Sequence, residues 1–274
     1  MAITFVGSKT FTHAAVSAQS CSLTDLLDSS GASATLQEDD FVLINLNNAS
    51  TVDRTQAQLL VSGYTAAHTD LYQNDSNDVN QQVQYKFMRT SVDTTVNIPA
   101  SNATTAGVAV TVHAFRGVCK VNPLDVTSIT AGGVNTGVAN AGAITPVTAG
   151  SWILACGAAA VAAGAVFTNP SGMSTTTNHF RSATITSTTN DANIGTAIYT
   201  GWTSGQYDPA VFGGSTSTNT GSWSAVTLAL RPARGYVKVY RSSSLWIPKP
   251  VKWWNGSAWV QKPLRAWTGS QWDI

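Results

Sequence analysis

Apolar and β-branched residues alternate with polar ones in short blocks along most of this 274-residue chain, and each block ends at a cluster of Asn, Asp, Gly or Ser. Period-two alternation over four to eight residues predicts half-buried strands. The pattern places them at residues 3–12, 41–47, 57–62, 93–98, 107–117, 152–156, 195–202 and 223–231. Two further blocks, 63–72 and 82–88, flank the Asn/Asp-rich stretch 73–78 and read as the arms of a hairpin. One short helix is predicted over 22–31, where Ser22 and Asp25 have capping-box spacing and Gly31 supplies a stop. About ten short strands with polar turns and almost no helical periodicity predict an all-β fold, a jelly-roll-like β-sandwich spanning residues 1–232. Residues 133–150 and 203–222 read as loops, and Pro232 to Gly235 as a joint.

The stretch from Val237 to Ile274 follows a different rule. Lys249-Pro250 recurs as Lys262-Pro263, and Trp254-Asn255-Gly256-Ser257-x-Trp259 recurs as Trp267-Thr268-Gly269-Ser270-x-Trp272, always at the same offset. A degenerate copy, Tyr240 to Trp246, precedes them with one extra turn residue. Internal repeats of this kind mark a repeated structural unit. Asn-Gly between apolar residues is a strong hairpin signal and Thr-Gly a weaker one. Proline cannot donate to a ladder, which assigns the Lys-Pro pairs to bends or edges. Residues 233–274 are therefore expected to form a small Trp-rich β-meander of about four strands, which is marginal alone and needs a surface to pack on.

Composition sharpens this picture. Charged residues are only 11% of the chain, against roughly 25% in an ordinary soluble domain. Residues 1–230 carry seven Lys/Arg against thirteen Asp/Glu, a net of −6, whereas 231–274 carry eight against Asp273 alone, a net of +7. The two parts attract each other, or each other's neighbours in an assembly. A basic, Trp-rich segment is also a candidate for stacking on single-stranded nucleic acid, but hairpin spacing and evenly spread basic residues argue against it. The N-terminus lacks the apolar run of a signal peptide, and the longest apolar stretch, 152–167, is too short to span a bilayer. Synthesis in the cytoplasm without membrane insertion is the expectation.

Chemistry leaves few marks. Cys21, Cys119 and Cys156 have neither the number nor the spacing of a disulfide framework or a zinc site. His13, His68, His113 and His179 stand outside any nucleophile motif, and His68 and His113 read as hydrogen-bonded structural histidines within strands. No pair of carboxylates is singled out for glycoside hydrolysis. Asp75, Asn77 and Asp78 offer oxygen ligands to Ca²⁺, but their spacing completes no loop, and the turn itself favours such residues. No catalytic residue, metal or cofactor is expected, so the chain is read as a non-enzyme.

Tandem W-N-G-S-x-W hairpins joined by Lys-Pro, closing a chain that opens with an all-β domain, resemble the C-termini of tailed-bacteriophage minor tail and tail fibre proteins. The segments Gly63-Tyr-Thr, Asp70-Leu-Tyr72, Tyr85-Lys-Phe-Met88, Val112 to Val118, Pro123 to Val126 and Val226 to Pro232 are similar to a sandwich module of such virion proteins. The resemblance implies a virion structural protein acting in assembly and host attachment. Its partners would be other virion proteins and copies of itself, a trimer being the common arrangement of fibre proteins, with a host glycan or receptor beyond them. A capsid-surface decoration or head fibre protein is the nearest variant, and a carbohydrate-binding module the alternative from another class. Six of the nine tryptophans, Trp246, Trp253, Trp254, Trp259, Trp267 and Trp272, are the candidate contact residues. Packing is preferred over ligand binding for them, because a small meander has little else with which to build a core.

Overall fold

The structure is a computed structural model. It describes the chain apart from residues 1, 76, 102–105, 135, 137, 161–165, 187–190, 215–220, 234–235, 243–244, 251, 255, 262–265, 268–271 and 274. In the strands from residue 236 onward the backbone is described, together with the side chains of Trp254 and Trp259.

The first part of the chain forms β1 (Thr4–His13), β2 (Gln19–Ser22), β3 (Leu26–Leu27), β4 (Ser33–Ala34), β5 (Phe41–Ser50) and a one-turn helix α1 (Gln56–Leu59). It continues through β6 (Thr65–Ala66), β7 (Tyr72–Gln73), β8 (Asp78–Phe87), β9 (Thr95–Ile98) and β10 (Gly107–Arg116). Eight of these strands make one antiparallel sheet in the order β4-β3-β1-β10-β5-β8-β6, with β7 also on β8. The chain then builds a second sheet from β11 (Ile129–Gly133), β12 (Trp152–Ala160), β13 (Arg181–Ile185), β14 (Ala192–Tyr199) and β15 (Ser222–Leu230), in the order β11-β15-β12-β14-β13.

The sheets pack face to face through residues of one parity. Phe41, Leu43, Val83 and Phe115 meet Leu154, Cys156, Ile198, Val226, Leu228 and Leu230. Residues of the other parity, Val42, Ile44, Leu46, Val108, Val110 and Val112, face away from the second sheet, as alternation requires. There they are covered by Cys21 and Leu23, the β9 residues Val96 and Ile98, and Leu59 of α1. At roughly 1.5–3 kcal/mol for each fully buried large side chain, these two layers supply most of the driving force for the fold.

The all-β sandwich agrees with the sequence pattern, but the jelly-roll expectation does not hold. A jelly roll passes strands repeatedly between its sheets. Here residues 4–116 complete one sheet before 129–230 build the other. The crossing segment is stitched to the end of β15: Val118 bridges Pro232, Leu124 bridges Leu230, and Arg231 N–H donates to Pro123 O at 2.8 Å. Two ion pairs pin it. Arg116 grips the fully buried Asp40 with two hydrogen bonds of 2.7 and 2.8 Å, and Arg231 Nε donates to Asp125 at 2.9 Å. Ala233 N–H still donates to Gly117 O, so the sandwich holds the chain to that point.

Two local expectations are also corrected. Residues 22–31 are not a helix: Ser22 Oγ accepts from Thr24 N–H, and the Asp28 carboxylate accepts from Ser30 and Ala32 N–H. These side chains satisfy turns instead of a helix start, while Leu23 and Leu26 are drawn into the core. Residues 57–62 are not a strand. Thr55 N–H is capped by Gln58 Oε1 at 2.9 Å, starting α1, and Leu59 is buried.

The C-terminal part contains β16 (Tyr236–Ser242), β17 (Leu245–Pro250), β18 (Lys252–Trp254), β19 (Trp259–Gln261), β20 (Ala266–Trp267) and β21 (Trp272–Asp273). The stretch thus holds six short strands where about four were expected, and among the described residues they pair only as three separate two-stranded ribbons, β16-β17, β18-β19 and β20-β21. Proline supplies a reason. Pro248 and Pro250 have no N–H, so the donors of β17 toward β16 must come from Lys249 and Ile247, and the outward edge lacks the two donors a third strand would need.

Candidate interaction surface

The constant offset of the sequence repeat is the spacing between successive ribbons. Trp254 stands opposite Trp259 in one, and Trp267 opposite Trp272 in the next. In the degenerate copy Tyr240 stands opposite Trp246, and the extra residue is absorbed as a register shift between Tyr240 and Ser242. Trp253 pairs with Val260. The structure therefore brings five of the six candidate tryptophans into aromatic cross-strand positions and leaves Trp253 outside them.

Residues 255–258 connect Trp254 to Trp259, a four-residue loop in place of the two-residue turn that Asn-Gly suggests. Gly256 adopts φ +102°, which explains the glycine, while Asn255, Lys262-Pro263 and Thr268-Gly269 lie outside the described residues. The rings of Trp254 and Trp259 meet edge to face, with centroids 5.8 Å apart at 60°. Such a pair contributes about 0.5–1.5 kcal/mol beyond its burial. Both rings nevertheless stay exposed, at 50% and 65%. Among the described side chains of this part these two rings pack on each other, and their outer surfaces are presented to solvent as flat aromatic faces.

The remaining chemistry lies in the sandwich. His68 is a structural histidine as expected: its Nδ1 is 2.6 Å from Thr69 O and its Nε2 accepts from Val83 N–H at 3.0 Å. This pairing fixes a neutral tautomer, and burial lowers its proton affinity. His113 departs from expectation, because it is fully buried and neither ring nitrogen has a hydrogen-bond partner. His179 Nδ1 lies 2.9 Å from Ser174 Oγ, a serine-histidine contact. Ser174 Oγ also accepts from Thr176 N–H, and no described carboxylate reaches the imidazole, so this contact belongs to a local turn. The Asp78 carboxylate accepts from Asp75 N–H at 3.0 Å, as a turn requires. Among the described residues no three His, Cys, Asp or Glu side chains gather to hold a metal, and no helix is long and apolar enough to cross a membrane.

Sequence reasoning missed two further features. A cleft of about 590 Å³ opens on the outer face of the second sheet. There the segments around Ile144–Tyr207 and Ala139–Phe212 are pinned by backbone hydrogen bonds, and Asn140, Ser171, Asp208 and the stacked Tyr199–Tyr207 rings, 4.1 Å apart, line the space between. The second is a polar seam between the sheets. Asn45 donates to Gly195 O and Thr196 Oγ1, Asn47 to Ala159 O and Asn193 O, and Gln81 to Asn45 Oδ1 and Cys156 O. Nothing in the local sequence marks these amides as inward-facing, and only the docking of the sheets shows it.

Comparison with family models, curated proteins and solved structures finds no match. Function has to be read from the chain itself.

Proposed function

We propose that this chain is a non-enzymatic structural protein of a tailed-bacteriophage virion, a tail fibre or minor tail component that acts in assembly and host attachment. The observation that carries the reading is the repeated hairpin with its exposed Trp254–Trp259 pair, mounted after a sandwich that is covered on both outer faces. Flat aromatic faces with few rotatable bonds are the surfaces that protein and glycan partners use as anchors. The opposite net charges of the two parts, −6 and +7, give the basic hairpins an acidic partner surface on neighbouring copies.

The test is mass spectrometry of purified virions together with an adsorption assay on phage carrying Trp254→Ser and Trp259→Ser. Incorporation of the wild-type chain and at least a tenfold loss of adsorption by the double variant, with sandwich stability unchanged, are the expected results. Virions that lack the chain would refute the reading. The exposure of these two rings also favours a second reading, a carbohydrate-binding module. It predicts glycan-array binding by the isolated chain that disappears in the same variant.

A further inference from the structure

Among the described residues of the inter-sheet core, one histidine has no partner for either of its ring nitrogens. His113, in the middle of β10, is 0% exposed, and both of its ring nitrogens lack a partner. The amides of the seam, by contrast, each make at least two hydrogen bonds. An unpaired buried polar group costs about 1–3 kcal/mol, so His113 is an expensive residue at a position where its strand neighbours are valine, alanine and phenylalanine.

Its surroundings are cationic. Ser8 stands opposite His113 on β1, and the Ser8 hydroxyl accepts from Arg181 Nε at 2.9 Å, while Arg181 Nη2 reaches Ser8 O at 3.3 Å. Arg181 opens β13, the outermost strand of the second sheet, and no described carboxylate pairs with it. His179 lies two residues before it, with its ring 4.6 Å from Phe5 and 6.0 Å from Trp152. Phe115 stacks near His113 at 6.3 Å. Arg181 from β13 and His179 from the preceding turn are the charged or titratable groups that act on His113. From the other elements come Ser8 on β1 and Leu43 opposite it on β5. Lys9, the cation of β1, is engaged with Asp25 at 2.7 Å.

We propose that this corner is an acid-released latch: when His113 and His179 take up protons beside Arg181, the edge strand β13 and the turn before it part from β1 and β10, and the sandwich opens at that edge first. Among the described residues no carboxylate pairs with Arg181, His113 or His179 to offset three cations there. Opening hydrates all three and frees the Ser8–Asn178 contact, a 2.7 Å hydrogen bond that closes the turn onto β1.

The direction of the pH dependence follows from linkage. In the closed form His113 is held down to about 3, first by burial and then by Arg181 and His179, which outweigh the opposing pull of the His179 main chain. His179 is lowered by burial as well. Released histidines return to their ordinary value near 6.5, so the open form binds more protons. The closed state is therefore fully favoured above about pH 6.5, and the opening constant rises about tenfold per pH unit below it for each histidine that titrates. Between pH 7 and 5 His113 alone gives roughly a 25-fold increase.

Native-state hydrogen exchange on the full chain at pH 7, 6 and 5, corrected for intrinsic rates, tests this. The expected result is a loss of protection of about 25-fold or more at β13 between pH 7 and 5, with the β5-β8 ladder unaffected, and a much smaller loss in His113→Leu. Equal losses in both ladders, no loss at β13, or an unchanged slope in His113→Leu would overturn the proposal. Should His113→Leu fail to fold, an NMR titration of the wild-type imidazoles still decides. A His113 ring that stays neutral down to pH 4 in the closed protein agrees with the latch, and one that titrates near 6.5 excludes it.

Discussion

Replacing Gly157 with alanine should destabilise the protein, although alanine is by itself the better residue in a strand interior by roughly 0.5–1 kcal/mol. Gly157 on β12 lies opposite Gly195 on β14, and the ring of Phe212 lies across both. A Cβ on Gly157 would stand 2.8 Å from Phe212 Cδ2 and 3.1 Å from the Ala139 methyl, well inside van der Waals contact. The ring has little room to yield: Phe212 is fully buried, Phe167 is 5.1 Å away, and its own N–H is tied to Ala139 O at 3.0 Å. Overpacking of this kind costs typically about 1–3 kcal/mol, which outweighs the propensity gain. In urea, where the slope for small proteins is about 1–3 kcal/mol/M, the unfolding midpoint should fall by several tenths of a molar unit or more. Phe212→Leu should cost less in the Gly157→Ala background than in the wild type, with a coupling of at least about 0.5 kcal/mol. A midpoint that is unchanged or raised in Gly157→Ala would show that the loop carrying Phe212 does not press on the sheet.

Gln81→Leu should cost about 2–4 kcal/mol in chemical denaturation, because it leaves Asn45 Oδ1, Cys156 O and the Ser224 hydroxyl without their partner in the seam; an isostable variant would argue against sheets docked as described. Asp125 is acid-sensitive in a lower window than the histidines. Burial would raise its proton affinity, but hydrogen bonds from Thr148, Val147 and Arg231 outweigh this and hold it below its ordinary 3.8, so it contributes stability above about pH 4 that is lost as pH falls further. Asp125→Asn should therefore flatten the stability profile below pH 4 and leave its slope between pH 5 and 7 unchanged, as urea titrations at stepped pH will show. Alkylation of the native protein at pH 8 should modify Cys119 and spare Cys21 and Cys156, whose thiols burial pushes up to about 11 and about 12; modification of Cys156 at the Cys119 rate would contradict a closed inter-sheet core.

Much of the fold is legible in the sequence because β5, β10 and β15 carry dense β-branched and apolar residues bounded by turn formers. The weaker strands β11 and β13 give no such signal. They occupy the edges of the second sheet, where fewer positions need to be apolar. The orientation of the central strands is misleading for a physical reason. Alternation suggests one buried and one wet face, yet both faces of the first sheet are covered, and Asn45, Asn47 and Gln81 point into the interface to meet carbonyl groups of the other sheet. Such pairing depends on contacts between residues more than 70 positions apart, which no local window contains. The order of strands is illegible for the same reason, and so is the corner where His113 meets Arg181.

The C-terminal repeat gains a sharper meaning from its pairing. A continuous meander would draw stability from every strand, and each added copy would extend one sheet. Among the described residues, three ribbons that each close on themselves make the hairpin, not the strand, the repeated unit. A lone two-stranded hairpin is marginal in water, and a single cross-strand ring pair adds only about 0.5–1.5 kcal/mol. Aromatic surface left half to two-thirds exposed, as on Trp254 and Trp259, therefore has its largest remaining free-energy gain in contact with another surface. Under the proposed attachment role, repetition at a constant spacing would let several weak contacts along one chain act together through effective concentration.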